Sequence, residues 1–146
     1  IKVNELLKKS PEIISISCTD PVENACDKLS ALIWRVADRN RNSVDDDATI
    51  VRHLHDLASM GKSVIKHPQF RQLAIETIKN DDNRSDKIKG LSLAQKISGL
   101  MNTLKVDKAY AREYEVFVKG MSYGTGSLQN FNQAVIQLKK LIRILM

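Results

Sequence analysis

The sequence predicts a mainly α-helical protein: a bundle of five to six helices that follows a short N-terminal extended strand or arm. From residue 21 onwards, apolar residues recur three and four positions apart, which is the pattern of helices that bury one face. Residues 12–18 instead contain three isoleucines and alternate between apolar and polar after Ile14, which predicts an extended segment. We therefore divide the chain into an arm over residues 1–20 and a helical domain over residues 21–146.

The first helix is predicted over residues 21–39. Asp20 stands where its side chain can accept a hydrogen bond from the first unpaired backbone amides of a helix. Pro21 suits the first helical position, because its ring fixes φ and its missing N–H would have no partner there. The apolar positions of this segment share one helical face and predict the side that packs into the core; they are Val22, Ala25, Cys26, Leu29, Leu32, Ile33 and Val36.

Further helical segments follow at intervals separated by polar or glycine-containing breaks. They are predicted over residues 48–66, from about residue 68, around residues 97–104, around residues 110–121 and from Ser127 to the last residues. Three consecutive acids, Asp45, Asp46 and Asp47, precede the second helix. We interpret them as helix-capping groups rather than metal ligands, because adjacent carboxylates do not converge on one ion.

Charge and cysteine content indicate the class of partner and the compartment. The 146 residues carry 23 Lys and Arg against 17 Asp and Glu, a net charge of +6, which favours an anionic partner such as nucleic acid or a nucleotide. No apolar run approaches the ~20 residues of a membrane span. Cys18 and Cys26 form no multi-pair disulfide framework, so we expect reduced core thiols and a cytoplasmic protein. The first residue is Ile1, which suggests a fragment of a longer chain.

Two groups of residues are candidates for an anion site. Lys28, Arg35 and Arg39 fall along one flank of the buried stripe of the first helix, at about 100° per residue. In the second helix, Arg52 and Asp56 stand four positions apart and can pair. Aligned cations of this kind form either a solvated helix edge or a phosphate site. The residue pattern alone leaves both interpretations open.

Other chemistries are not supported by the sequence. Gly124 and Gly126 belong to a segment without the Gly-Lys-Ser/Thr ending of a P-loop. A zinc site from His53, His55 and His67 fails, because residues two apart on a helix point in nearly opposite directions. We therefore predict no metal ligand in this chain, and we interpret the histidines as edge or core imidazoles.

The residues around these candidates resemble a known family. The run Pro21-Val22-Glu23 followed by Asp27-Lys28-Leu29-Ser30-Ala31-Leu32 is similar to the Pro-x-Glu and (Glu/Asp)-Lys-Leu-x-Ala-Leu pattern of AbiEii/AbiGii-type nucleotidyltransferase toxins. Arg52-His53-Leu54-His55-Asp56-Leu57 resembles their Arg-(Asp/His)-x-x-Asp-Leu segment, and the tail around Tyr110 and Tyr114 is also similar. The resemblance covers nearly the whole chain, and the two motifs together are more specific than either alone.

The resemblance implies a polymerase-beta type nucleotidyltransferase with an α/β catalytic half followed by a helical half. Residues 1–20 would be the remnant of the preceding domain. The intact enzyme is expected to transfer nucleotides from NTP to RNA, with transfer RNA as the expected acceptor, in a type IV-like toxin–antitoxin or abortive-infection system. It would use Mg²⁺ and have a cognate antitoxin. The Gly-Ser…Asp-x-Asp metal motif is absent here, so we expect this chain alone to bind neither Mg²⁺ nor NTP and to be inactive.

Family positions assign roles to four residues. Lys28 matches the motif lysine, which is expected to hold nucleotide phosphates and act in catalysis, and Asp56 matches the second essential acid. Arg52 matches the family arginine and Arg35 lies on the flank of Lys28, so both are predicted to bind phosphate. Asp56 could orient Lys28 or transfer a proton, and the sequence leaves this open. The alternative is a non-catalytic helical module that binds RNA or protein. A homodimer through the N-terminal arm is a further expectation, because an orphan strand exposes unpaired backbone groups.

Overall fold

The computed structural model describes Ser15, residues 17–121 and residues 128–146. This part of the chain contains six α-helices and no strand, which confirms the predicted mainly helical class. The helices are α1 (Pro21–Asp38), α2 (Val51–Val64), α3 (Phe70–Asn80), α4 (Leu93–Val106), α5 (Ala109–Gly120) and α6 (Phe131–Leu145). The predicted extended segment and its dimer contact fall mostly on residues outside the described ones, so they stay predictions.

Helix α1 lies at the centre of the bundle, where it packs against α2, α3 and α4. The side chain of Asp20 accepts a hydrogen bond from the backbone N–H of Val22 at 2.8 Å, which confirms the predicted cap. All seven apolar residues predicted for its inner face are buried. The helix ends at Asp38, one residue earlier than predicted, because Arg39 adopts an extended backbone conformation with ψ of 131°.

Helix α2 is preceded by a short 3₁₀ turn, Ala48–Ile50, and packs against α1, α5 and α6. The carboxylate of Asp47 accepts hydrogen bonds from the backbone N–H and the hydroxyl of Thr49, at 2.9 and 2.6 Å. The capping role predicted for the acid run is therefore confirmed at Asp47. Leu54 and Leu57 are fully buried in the core.

The loop between α1 and α2, residues 39–47, is held by two arginines. Arg39 pairs with Asp46 at 2.8 Å and with Glu113 of α5 at 2.7 Å. Arg41 pairs with Asp107 at 2.9 Å and also with Glu113. Asp46 thus forms an ion pair instead of the predicted cap. We call this set of five charged residues the arginine clamp; it fixes the loop to the start of α5.

The remaining helices complete the core. Tyr110 and Tyr114 of α5 are buried, as the predicted aromatic stripe requires, whereas Met121 is exposed. Helix α6 begins at Phe131 behind a capping box formed by Asn130 and Gln133; the start predicted at Ser127 lies outside the described residues. Within those residues, no helix has both the length and the apolar character needed to cross a membrane.

The two cysteines differ in their surroundings. Cys26 is buried in the core, as predicted, and its Sγ lies 4.0 Å from the backbone oxygen of Phe70. Cys18 is exposed, so its predicted place in the core is wrong. It precedes the first helix and lacks a helical face that could bury it.

Candidate functional site

The structure brings Lys28 and Asp56 together across the interface of α1 and α2. Nζ of Lys28 donates a hydrogen bond to Oδ2 of Asp56 at 2.6 Å. The two side chains are 22% and 35% exposed, so a ligand can reach both without unfolding of the bundle. The pair exists because the buried stripes of α1 and α2 face each other, which turns the edge next to each stripe toward its neighbour.

Arg35 and Arg52 converge on a different acid, Asp47. The guanidinium of Arg35 lies 3.7 Å from Oδ2 of Asp47, and that of Arg52 lies 3.6 Å from the same oxygen. Arg52 also donates to the hydroxyl of Thr49 at 2.8 Å. The pairing of Arg52 with Asp56 that their spacing allows is therefore not the one found among the described residues, because Lys28 occupies Asp56.

Arg39 leaves the predicted flank. Its side chain is only 5% exposed and is committed to the arginine clamp, with its guanidinium also 5.2 Å from the centre of the Tyr110 ring. The hydrogen bond from Arg39 lowers the pKa of Asp46, which keeps that carboxylate charged. The flank of three cations thus divides into a structural arginine and two accessible cations, Lys28 and Arg35.

His53 is a member of the site that the sequence reasoning missed. Burial, together with the nearby cations Arg52, Lys28 and Arg35, lowers the pKa of this imidazole to about 4, and Asp56 opposes the shift. Neither ring nitrogen has a hydrogen-bond partner. A neutral imidazole therefore stands among all four predicted site residues. The family pattern allows Asp or His at this position, which was the signal that could have identified it.

Asp47 is the second residue that sequence reasoning did not assign to the site. The hydrogen bonds from Thr49 lower its pKa, and the neighbouring Arg52 and Arg35 lower it further. It is thus both the cap of the 3₁₀ turn and the counter-ion of two cations. Its position after two other acids in the sequence concealed this second role.

A groove of about 320 Å³ adjoins the site at the end of α1. Its walls include Trp34, Arg35 and Asp47, and the guanidinium of Arg35 lies 4.9 Å from the centre of the Trp34 ring. Nε of Arg35 is buried without a hydrogen-bond partner. The groove is mixed in charge, because three acids of the loop 39–47 line it together with Arg35.

The acids at this site do not fit a magnesium site. Asp56 is paired with Lys28, and Asp47 faces two arginines, so neither offers the free carboxylate pair that a hard cation prefers. Among the residues that the structure describes, no group of three or more His, Cys, Asp or Glu side chains is arranged to hold a metal ion. The arrangement is instead suited to an anion, with three reachable cations held by two acids.

The comparison with protein families identifies a family for the chain. A sequence model described as "Nucleotidyl transferase AbiEii toxin, Type IV TA system" matches residues 1–137. No curated protein and no solved structure matches the chain. The matched span includes all four predicted site residues as well as His53 and Asp47. The chain therefore belongs to the AbiEii nucleotidyl transferase toxin family of type IV toxin–antitoxin systems, a family whose members have a cognate antitoxin.

Proposed function

We propose that this chain is the helical part of a toxin that transfers a nucleotide from an NTP to RNA, with transfer RNA as the acceptor. The observation that carries the proposal is the Lys28–Asp56 pair, which joins the two family motifs at 2.6 Å. Residues that are 28 positions apart in the chain become direct partners at an accessible interface. Family membership supports the nucleotidyl transferase chemistry, and the pair supports the assignment of its residues.

Lys28 binds the phosphates in this proposal. Its ammonium group is a compact charge with three donors, so it can exchange the Asp56 oxygen for nonbridging phosphate oxygens without a demanding geometry. As the RNA hydroxyl oxygen attacks the α-phosphorus, its proton passes to solvent, the bond from that phosphorus to the bridging oxygen breaks and pyrophosphate leaves. A fixed cation beside the leaving oxygens stabilises the charge that develops on them.

Asp56 acts as a positioning residue. The short contact to Nζ directs the flexible side chain of Lys28 toward one place at the α1–α2 interface before the nucleotide arrives. Such preorganisation lowers the entropy that is lost when the reactive complex forms. The contact favours orientation over proton transfer, because the carboxylate is already committed to a cation.

Arg35 and Arg52 bind the remaining phosphate charge. Both lie within 4 Å of a single carboxylate oxygen of Asp47, so the two cations share one counter-ion and retain net positive charge. Both side chains are more than a third exposed, which allows them to reach a ligand. Their spacing about one acid supports binding of a polyphosphate rather than a single carboxylate.

The magnesium ions of the intact enzyme are assigned to other acids. We place them on a Gly-Ser…Asp-x-Asp motif, which does not occur in these 146 residues. The helical part then supplies cations for the phosphates, and the motif supplies the metal ligands. Since NTPs and RNA are cytoplasmic substrates, we place the protein in the cytoplasm.

The test compares variants in the full-length gene product, with radiolabelled NTPs and total transfer RNA. Lys28→Ala and Asp56→Ala are expected to lower nucleotide transfer by at least about a hundredfold, the scale of one lost transition-state contact. Lys79→Ala is the matched control, because Lys79 is exposed on α3 and forms no ion pair within the described part of the chain. Transfer that stays unchanged in both site variants would contradict the proposal and favour the non-catalytic binding module.

A further inference from the structure

The acidic residues are confined to part of the chain. All 17 Asp and Glu fall within residues 1–56, 76–86 and 107–115. Residues 57–75, 87–106 and 116–146 contain none, although Lys and Arg occur in each of these stretches. Such segregation produces a one-signed field wherever the acid-free stretches meet in space.

The fold brings the acid-free stretches together around α6. A groove of about 650 Å³ lies between α6 and the junction of α4 with α5, and Lys105, Lys108 and Lys139 line it. A second groove of about 350 Å³ lies between α6 and the end of α2, and Lys62, Lys66 and Lys140 line it. We call α6 and these two grooves the α6 surface.

The lysines of the α6 surface lack the counter-ions that seven other cations of the described residues have. Lys28, Arg35, Arg39, Arg41, Arg52, Arg84 and Lys96 all pair with a carboxylate. Within the described ranges, none of the six groove lysines forms a salt bridge, and all six are exposed. The first groove contains one acid, Asp107, which is bound by Arg41. The surface therefore presents uncompensated positive charge.

The floor of the larger groove is apolar. Met101 and Val135 line it, and Ile136 is 52% exposed beside the lysines. A ligand that fits must combine a chain of negative charges with flat apolar faces. Single-stranded RNA has this chemistry: its phosphates pair with lysines along a groove, while unpaired bases lie against the floor.

Charge on both sides of α6 decides between RNA and an acidic protein. A helix docked in the larger groove would leave Lys62, Lys66 and Lys140 without partners. A nucleic acid strand can follow the ridge of α6 and contact both lysine groups. A backbone of closely spaced charges also gains from counterion release at each lysine.

We propose that the α6 surface binds single-stranded RNA, with phosphates on the lysines and base faces on the Met101 and Ile136 floor. This proposal rests on the proposed function, because the RNA that binds here is the acceptor of the transferred nucleotide. It places RNA recognition on α6 and the neighbouring ends of α2 and α4, whereas the phosphates of the NTP are held by cations of α1 and α2.

The experiment measures binding of the full chain to a fluorescein-labelled oligouridine of about 12 nucleotides, within the usual site size of such grooves, by fluorescence anisotropy at several salt concentrations. The variant Lys139→Gln/Lys140→Gln/Arg143→Gln is expected to bind at least about tenfold more weakly. Its slope of log K against log salt should be shallower by about 2, since each lost phosphate contact removes about 0.7.

The control, Lys79→Gln/Lys87→Gln/Lys89→Gln, removes the same charge from exposed positions outside the two grooves. It is expected to bind within about twofold of the unchanged protein. Equal losses in both triple variants would show that only net charge matters, and would overturn the proposal. So would the absence of RNA binding by the unchanged protein, which would favour an acidic protein partner.

Two further measurements test the apolar floor of the groove and the independence of RNA binding from Lys28. Ile136→Asp is expected to weaken single-strand binding while circular dichroism stays unchanged, and equal binding of an RNA duplex would contradict the role of the floor. Lys28→Ala is expected to retain RNA binding. If Lys28→Ala keeps full nucleotide transfer, the proposed function fails while the α6 surface stands; if the α6 variant binds RNA normally, the α6 surface fails alone.

Discussion

Nζ of Lys28 lies 2.6 Å from Oδ2 of Asp56, although 28 positions separate the two residues in the chain. One residue is on α1 and the other on α2, and the contact lies beside the buried interface rather than within it. Partial exposure leaves both groups hydrated, so their attraction contributes little to the stability of the fold. Their proximity is the observation on which the proposed phosphate site rests.

A double-mutant cycle measures how much the Lys28–Asp56 pair contributes to the stability of the fold. Lys28→Met, Asp56→Asn and the combined variant are expected to give a coupling free energy of about 1 kcal/mol or less, the usual range of partly exposed pairs. Urea unfolding followed by circular dichroism provides the measurement. A coupling energy above about 3 kcal/mol would instead indicate a structural salt bridge of the buried type.

Unlike the Lys28–Asp56 pair, the arginine clamp is expected to contribute strongly to the stability of the fold. Arg39→Ala leaves Asp46 without its cation and leaves Glu113 with Arg41 alone, at a site where the arginine side chain is only 5% exposed. Breaking such a pair from one side costs about 3–5 kcal/mol, measured as the free energy of unfolding in urea. Arg84→Ala is the control: that side chain is 61% exposed, and we expect a change below about 1 kcal/mol.

His53 predicts a pH dependence of stability. Its pKa in the folded protein is about 4, against 6.5 for the unperturbed group, so the unfolded chain binds the proton more tightly. The contribution of His53 is then complete above pH 6.5 and is lost as the pH falls toward 4. His53→Gln should flatten this part of the curve of unfolding free energy against pH. Titration of the His53 imidazole near pH 6.5 in the NMR spectrum of the folded protein would contradict its lowered pKa.

Cys26 predicts a protected thiol. Burial, together with the nearby acids Asp27, Glu23 and Asp20, raises its pKa to about 11, so the reactive thiolate is scarce at neutral pH. Iodoacetamide should leave Cys26 unmodified in the folded protein and alkylate it in urea, as read by mass spectrometry of its peptide. Modification of Cys26 at equal rates with and without urea would contradict the burial.

Local patterns predicted the helices well because their signals lie within a few residues. The three- and four-residue spacing identified the buried face of α1, and Asp20 with Pro21 identified its start. Loop geometry was less accessible, because the position of Arg39 depends on Glu113, 74 residues later. The angular spacing of residues along one helix therefore placed Arg39 with Lys28 and Arg35, although its tertiary contacts direct Arg39 to Asp46 and Glu113.

The candidate site, too, was predictable where local patterns decide and not where tertiary contacts decide. Family motifs identified Lys28 and Asp56, and their contact follows from the packing of α1 on α2. The choice of partner for Arg52 could not be predicted, because i and i+4 spacing allows Asp56 but says nothing of a lysine approaching from another helix. His53 was missed because its place in the candidate site depends on burial among charges, which a linear pattern does not reveal.

The arginine clamp has a practical consequence for the loop 39–47. Arg39 and Arg41 on one side and Asp46 on the other are anchored, while Val44 between them is 100% exposed. The tip of the loop can therefore accept extra residues without a change in the register of α2 against α1. This makes it a suitable position for inserting a fluorescent reporter or an affinity epitope, and a place where related chains can differ in length while the Lys28–Asp56 contact is preserved.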